Sequence, residues 1–263
     1  MNNFLSLTNF YKLVKLITKN QIKFVRSLHL KKNRDVHNCF VVEGEKIVNE
    51  ILESNYNIKI CFATRDWKNS LIDAKEVQLV SEKELERISS LKSPNKVIAI
   101  VEKPNRNLEK LSVDRGFTLL LDDIKNPGNL GTIIRICDWF GVKNIICSDL
   151  SVDLFNPKVI QATMGSLLRV DVYYSDIEEV IKNLPQDFPV YGSFVDGESE
   201  NIVDLELEDD AVLVMGNESF GISNNLINLI NKKVTIKSEN SKSESLNVAI
   251  ATAILLYEFK RKH

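Results

Sequence analysis

The chain has few cysteines, no long apolar run, and no acidic residue in its first 34 positions. Each absence excludes something. The four cysteines (Cys39, Cys61, Cys137, Cys147) lie far apart, with no C-x-x-C pair and no histidine near enough to complete a zinc set. Three of them sit in apolar runs, which suits buried thiols in a reducing compartment and leaves no metal site to expect. No apolar stretch reaches the ~20 residues that span a bilayer, so no membrane partner is expected. Met1 to Asn20 is amphipathic and lysine-bearing, without the continuous apolar region or cleavage site of a secretory signal. It also has no arginine before Arg26, which argues against a mitochondrial presequence, and the cytoplasm is the expected location.

What the N-terminus does contain is a block of cations: Lys12, Lys15, Lys19, Lys23, Arg26, Lys31, Lys32 and Arg34, in a chain whose net charge is only −2. A phosphate backbone would select such a block, although a solvated helix face would also account for it. Elsewhere the composition is that of an ordinary globular protein, with 44% hydrophobic and 27% charged residues over 263 positions.

Two segments follow from the patterning. Residues 18–102 read as a small alternating α/β unit: a helix and basic loop over 18–34, an extended Cys39–Gly44, a helix from Glu45 to Glu53, a strand Ile58–Ala63, a helix over 82–89 and a strand Val97–Val101. Residues 1–17 form an N-terminal arm, and 103–114, opening with Lys-Pro-Asn-Arg-Asn, a linker. From residue 115 to 263 a longer βαβ alternation begins. Strands are expected at Phe117–Leu121, Asn144–Cys147, Leu168–Tyr174, Val190–Phe194, Ala211–Met215 and Lys233–Ile236. Helices are expected over 129–140, 156–164, 176–183, 222–230 and 245–261. Apolar strand cores separated by helices imply a mainly parallel sheet covered on both faces, with ligands beyond the C-terminal strand ends.

Three strand-end loops carry the chemistry. After Leu119-Leu120-Leu121 comes Asp122-Asp123-Ile124-Lys125-Asn126-Pro127-Gly128-Asn129, where Asn129 is a plausible N-cap and Leu130, Ile133, Ile134 and Cys137 form a helical stripe that leaves Arg135 off the core face. Gly128 and Gly131 lack the third glycine of a dinucleotide fingerprint. The second loop is Gly216-Asn217-Glu218-Ser219-Phe220-Gly221. The third leads from Ile236 through 238–243 to Glu244-Ser245-Leu246-Asn247, where Ser245 can cap the last helix and Asn247 in its first turn keeps a free amide.

These three stretches resemble the signature motifs of the SpoU/TrmH family, RNA ribose 2′-O-methyltransferases of the SPOUT superfamily. The matching text is Asn129-Leu130-Gly131-Thr132-Ile133-Ile134-Arg135, then Gly216-Asn217-Glu218 with Gly221, then Ser245-Leu246-Asn247-Val248-Ala249. Asn156-Pro157-Lys158 and Ala162-Thr163-Met164-Gly165-Ser166 support it, and Phe40-Val41-Val42-Glu43-Gly44 is similar to a substrate-binding domain that resembles certain ribosomal proteins. The resemblance covers nearly the whole chain after residue 18. It implies an α/β SPOUT domain with a deep trefoil knot, a homodimer, and S-adenosylmethionine as cofactor. By that resemblance Met215, Gly216, Asn217, Ile236, Ser245, Leu246 and Asn247 bind the cofactor, and Arg135, Asn129, Glu218, Ser245 and Asn247 form the catalytic wall. Lys23, Arg26, Lys31, Lys32 and Arg34 become candidate RNA contacts. Departures from the family pattern are Lys237 where proline is common, Asn240 and Ser219 where glycine is common.

The implied reaction is methyl transfer to a ribose 2′-hydroxyl of structured RNA, with ribosomal RNA favoured by the N-terminal domain and transfer RNA as the alternative acceptor. A non-catalytic RNA-binding or ribosome-assembly factor on the same fold is the reading from a different class. Arginine keeps its charge below pH ~12, so Arg135 is expected to stabilise the developing alkoxide and hold a phosphate, with the proton leaving to water or phosphate.

Overall fold

The computed structural model describes residues 16–67, 77–239 and 245–261. They fall into two compact units: residues up to Asn105 together with Phe155–Gln161, and Arg106–Leu154 together with the residues from Ala162 onward.

In the first unit, α1 (Lys19–Ser27) opens on a capping box: Thr18 Oγ1 accepts from the Gln21 backbone while Gln21 returns an oxygen to the Thr18 N–H. α2 (Lys31–His37), expected as loop because it has no apolar stripe, is a helix closed by Asn38 in the left-handed region (φ 50°). β1 (Cys39–Glu43), α3 (Glu45–Leu52), β2 (Ile58–Ala63), β3 (Val77–Leu79), α4 (Glu82–Glu86) and β4 (Val97–Glu102) complete the unit. The sheet order is β1-β4-β2-β3, antiparallel except for the β2/β3 pair. Ile22, Val25 and Leu28 of the first helical segment pack with Phe62, Leu85, Ile88, Ile98 and Ile100 in one core. Glu43, at the end of β1, is buried and accepts from Ser89 Oγ and from both the N–H and Oγ of Ser90.

The second unit contains β5 (Phe117–Leu121), α5 (Pro127–Trp139), β6 (Asn144–Cys147), β7 (Asp171–Tyr174), α7 (Ile177–Lys182), β8 (Val190–Ser193), β9 (Glu200–Asn201), β10 (Ala211–Met215), α8 (Asn224–Ile227), β11 (Lys232–Thr235) and α9 (Val248–Lys260); α6 (Pro157–Thr163) precedes β7 and crosses the division between the units. Its seven strands run in the order β7-β6-β5-β10-β8-β11-β9, every pair parallel. β5 and β10, both buried along their full length and apolar but for Thr118, are the near-continuous apolar runs that a doubly covered parallel sheet requires. The chain moves outward from β5 to β6 and β7, then returns past β5 to β8, and β10 inserts between them. That reversal places the C-terminal ends of β5 and β10 side by side, the position where open parallel sheets bind ligands.

Some expectations shift. The strand expected at Leu168–Tyr174 begins only at Asp171. Met164 and Gly165 both take positive φ (51° and 96°) and turn the chain into a 3-10 helix at Ser166–Leu168. β3 and β9 were too short to show a period. From Arg106 on, the stretch read as a linker belongs to the second unit: Arg106 pairs with Asp171 at 3.0 Å, and Leu108, Leu111 and Val113 pack on the core. All four cysteines are buried and free, and burial pushes the Cys61 thiol up to about 12, so they act as core residues. Among the described residues no helix is long and apolar enough to cross a membrane. The implied knot depends on the course of the chain between β11 and α9, of which residues 240–244 lie outside the described residues.

Candidate active site

The loop after β5 is built from local hydrogen bonds. Asp122 is buried, and its Oδ2 accepts from the Ser223 N–H (2.8 Å) and Oγ (2.6 Å), tying this loop to the start of α8. Asp123 sits at φ 58°, a conformation aspartate tolerates better than most residues. Asn126, not Asn129, caps α5: its Oδ1 accepts from the Gly128 and Asn129 N–H groups at 2.8 and 3.2 Å, with Pro127 at the first helical position. Asn129 therefore lies inside the first turn with its side-chain amide available.

The loop after β10 closes on itself. Asn217 and Gly221 exchange both backbone hydrogen bonds (2.9 and 3.0 Å), and Asn217 Oδ1 accepts from the Ser219 and Phe220 N–H groups. A Cβ on Gly216 would fall 2.2 Å from the Gly221 carbonyl carbon, so the closure requires glycine there. Asn217 Nδ2 donates to the Asp123 carbonyl at 2.8 Å, which fastens this loop to the one after β5.

α9 begins at Val248, and its cap is Asn247, whose Oδ1 accepts from the Ala249 and Ile250 N–H groups. Ser245, expected as the cap, lies two residues before Asn247. With its oxygen committed to the cap, Asn247 can only donate toward the site, and it does so to Asn129 Oδ1 at 3.0 Å. Asn129 must then donate through Nδ2, and its partner is Glu218 Oε1 at 2.9 Å. The same carboxylate accepts from the backbone N–H groups of Asn126 (3.1 Å) and Lys125 (3.3 Å). Partial burial of Glu218 opposes its ionisation. Hydrogen bonds from Asn129 and from the backbone amides of Glu218, Asn126 and Lys125 outweigh that burial and hold the carboxyl below its ordinary value. An ionised group with its lone pairs so occupied is a clamp and a poor proton acceptor.

Three loops distant in sequence thus meet in one directional chain, Asn247 to Asn129 to Glu218. Arg135 stays outside it: exposed on α5, its side chain making no hydrogen bond or ion pair with the described residues. Of the expected cofactor residues, Met215 is buried at the end of β10, Ile236 is half-buried just past β11, and Leu246 is 47% exposed beside the Asn247 cap. Asn240 lies outside the described residues, and Lys237 is exposed. Of the expected RNA contacts, Lys23, Arg26, Lys31 and Lys32 are exposed, Arg26 using its Nε on the Arg87 carbonyl. Arg34 is a correction: it is buried, its Nη1 donating to the Leu28 and His29 carbonyls, so it ties α1 to α2 and offers nothing to a phosphate. Lys12 and Lys15 lie outside the described residues. Sequence reasoning missed Lys125 and Asn126 as holders of Glu218. The signal for Asn126 was present, since a proline at the first helical position puts the cap directly before it.

Comparison with known proteins identifies the family. Residues 116–257 match the SpoU rRNA Methylase family model, and residues 19–99 the MRM3-like substrate binding domain. The chain belongs to the SpoU rRNA methylase family. A 23S rRNA (guanosine(2553)-2′-O)-methyltransferase of Bacillus subtilis is 29% identical over 246 residues, covering 92% of this SpoU-family chain and 97% of the relative. Among solved structures, an RNA methyltransferase of the TrmH family from Porphyromonas gingivalis superposes with a TM-score of 0.84 at 36% identity, covering 95% of this chain and 100% of that one. An AdoMet-bound rRNA methyltransferase from Sinorhizobium meliloti gives a TM-score of 0.83 at 28% identity, covering 94% and 98%.

Proposed function

We propose that this chain transfers a methyl group from S-adenosylmethionine to a ribose 2′-hydroxyl of ribosomal RNA, acting as a cytoplasmic homodimer. The observation that carries the reading is the Asn247–Asn129–Glu218 chain, which assembles three family motifs at the C-terminal ends of the central strands. The residues present suit the cofactor. Met215, Ile236 and Leu246 are apolar partners for an adenine, with loop backbone to read its edge, and S-adenosylmethionine has no phosphate that would need a glycine-rich anion loop. When bound, the cofactor supplies an electrophilic methyl group. The protein's share is alignment: the amide chain fixes the loop geometry, and Ser245 and Asn247 line the wall that orients the acceptor. The Arg135 guanidinium stabilises the developing alkoxide, while the proton leaves to water or phosphate.

The acceptor follows from the N-terminal unit, since the match to the Bacillus subtilis 23S rRNA enzyme spans both units. Lys23, Arg26, Lys31 and Lys32 are its candidate phosphate contacts. Lys31 and Lys32 open α2 without an acidic residue in the first turn, against the helix dipole, a placement that an anionic partner would offset. The homodimer is supported by α9, which is apolar on more than one side over its first nine residues. Ile250 and Tyr257 are each 53% exposed, with Ala253 and Ile254 between them on the same stripe.

The test is methylation of unmodified large-subunit ribosomal RNA transcript by the purified chain, with transfer RNA in parallel and the product mapped for 2′-O-methyl groups. One modified ribose in the ribosomal transcript is expected. Calorimetry that found RNA binding without S-adenosylmethionine binding would instead favour an assembly factor.

A further inference from the structure

Phe220 lies in the loop after β10, two residues beyond Glu218, and is 90% exposed. The backbone beneath it is not loose. Its N–H donates to Asn217 Oδ1 at 3.1 Å, the flanking Asn217–Gly221 pair is doubly hydrogen-bonded, and Gly216 leaves no room for the loop to shift inward. The loop is further anchored through Asn217 to Asp123 and through Glu218 to Lys125, Asn126 and Asn129. A large apolar ring is therefore held out in water at the tip of a pinned turn, next to the carboxylate that joins the candidate site.

We infer that Phe220 is a substrate-contacting residue that stacks on an RNA base beside the methylated ribose. This rests on the function proposed above and adds a residue that the family motifs do not assign. An apolar ring packing into another protein needs a contiguous apolar surface, because interface cores are apolar and depleted of charge. The residues bonded to this loop (Asp123, Lys125, Asn126 and Asn129) present polar and charged groups, and Lys125, exposed beside it, pairs its Nζ with Asp123 and the Leu150 carbonyl. One aromatic face among hydrogen-bonding groups is the arrangement that takes a splayed base, whose π-face it covers while the polar surroundings stay solvated or meet the base edge and sugar. A pinned backbone means that stacking carries no cost of loop ordering.

The experiment is steady-state methylation of the same ribosomal transcript by the full chain and by Phe220→Ala, Phe220→Leu and Phe220→Trp. S-adenosylmethionine affinity, oligomeric mass and circular dichroism are measured on each. Phe220→Ala is expected to raise KM for RNA by about 5- to 150-fold, the usual weight of one stacked base, with kcat, cofactor affinity and mass unchanged. Phe220→Trp should restore the wild-type KM and Phe220→Leu should not. The inference is overturned if leucine restores as fully as tryptophan, if alanine leaves KM unchanged or lowers only kcat, or if alanine changes the oligomeric mass, which would make the ring a protein contact. A wild-type chain that methylates no RNA would refute the proposed function itself, an outcome distinct from an active enzyme indifferent to residue 220.

Discussion

Asn129 is committed on both sides of its amide, and that commitment explains why glutamate and asparagine occupy positions 218 and 247. Asn247 uses its oxygen to cap α9, so only its N–H2 faces Asn129; Asn129 passes the direction on, and the chain must end on an acceptor. Glu218→Gln keeps the shape but sets an N–H2 group among the Asn129, Asn126 and Lys125 donors. The expected loss is about 1–2 kcal/mol at neutral pH, the weight of a charge-assisted bond discounted for exposure. Because the folded-state carboxyl lies below its ordinary value, its stabilisation is present above the usual glutamate range near pH ~4.3 and is lost as pH falls through the folded value. Urea melts of wild type and variant should differ at pH 7 and converge in acid; a difference that persists unchanged at low pH would contradict the clamp. Arg135→Lys tests a different point. If the guanidinium fork stabilises the alkoxide, turnover should fall by about 100-fold or more while cofactor affinity holds; near-normal turnover would remove that role. The motif residues themselves could be read directly from the sequence, but their hydrogen-bond partners could not. Asn126 and Asn129 are equally good caps by composition, as are Ser245 and Asn247, and only the backbone course selects between them.

At the scale of elements, periodicity carried the fold where strands were long and buried and failed where they were short. β10 is an unbroken apolar run and β5 is one but for Thr118, and the Leu130, Ile133, Ile134 and Cys137 stripe of α5 is buried as its spacing implies. β9, two residues long, has no period to read, and α2 is a helix whose one buried side chain is an arginine. The loop after β10 has its own requirement. Gly216→Ala drives a Cβ into the Gly221 backbone, where nothing flexible can yield, and should cost about 1–3 kcal/mol or more with a matching drop in cofactor affinity, read by thermal melting and calorimetry. α9 packs on α5 by one side and leaves Ile250, Ile254 and Tyr257 on another. In the proposed homodimer the second copy of this chain covers that second stripe. Ile250→Glu with Tyr257→Glu should therefore convert a dimer to a folded monomer in sedimentation, with helical content retained; a wild-type chain already monomeric at micromolar concentration would exclude the dimer.

For the whole molecule, the net charge of −2 conceals an acid-free N-terminal segment, and the structure divides that segment's described cations by burial. Lys23, Lys31 and Lys32 stand exposed, whereas Arg34 is a core residue that bonds the carbonyls at the end of α1. Charge counting along a sequence cannot separate the two, because burial of an arginine depends on which carbonyls the fold leaves open. The consequence is a pair of opposite phenotypes. Lys31→Ala with Lys32→Ala should weaken binding to any structured RNA alike and flatten the dependence of log affinity on log salt by roughly 0.7–0.9 for each phosphate no longer neutralised, with melting temperature and kcat unchanged. Arg34→Ala should do the reverse: lower stability by roughly 2–4 kcal/mol, because buried carbonyls lose charged donors, and leave the salt slope of the folded fraction as it was. Filter binding across a salt series, beside urea melts of both variants, separates the cases. An unchanged slope in the double lysine variant would move the phosphate-binding surface elsewhere on the molecule.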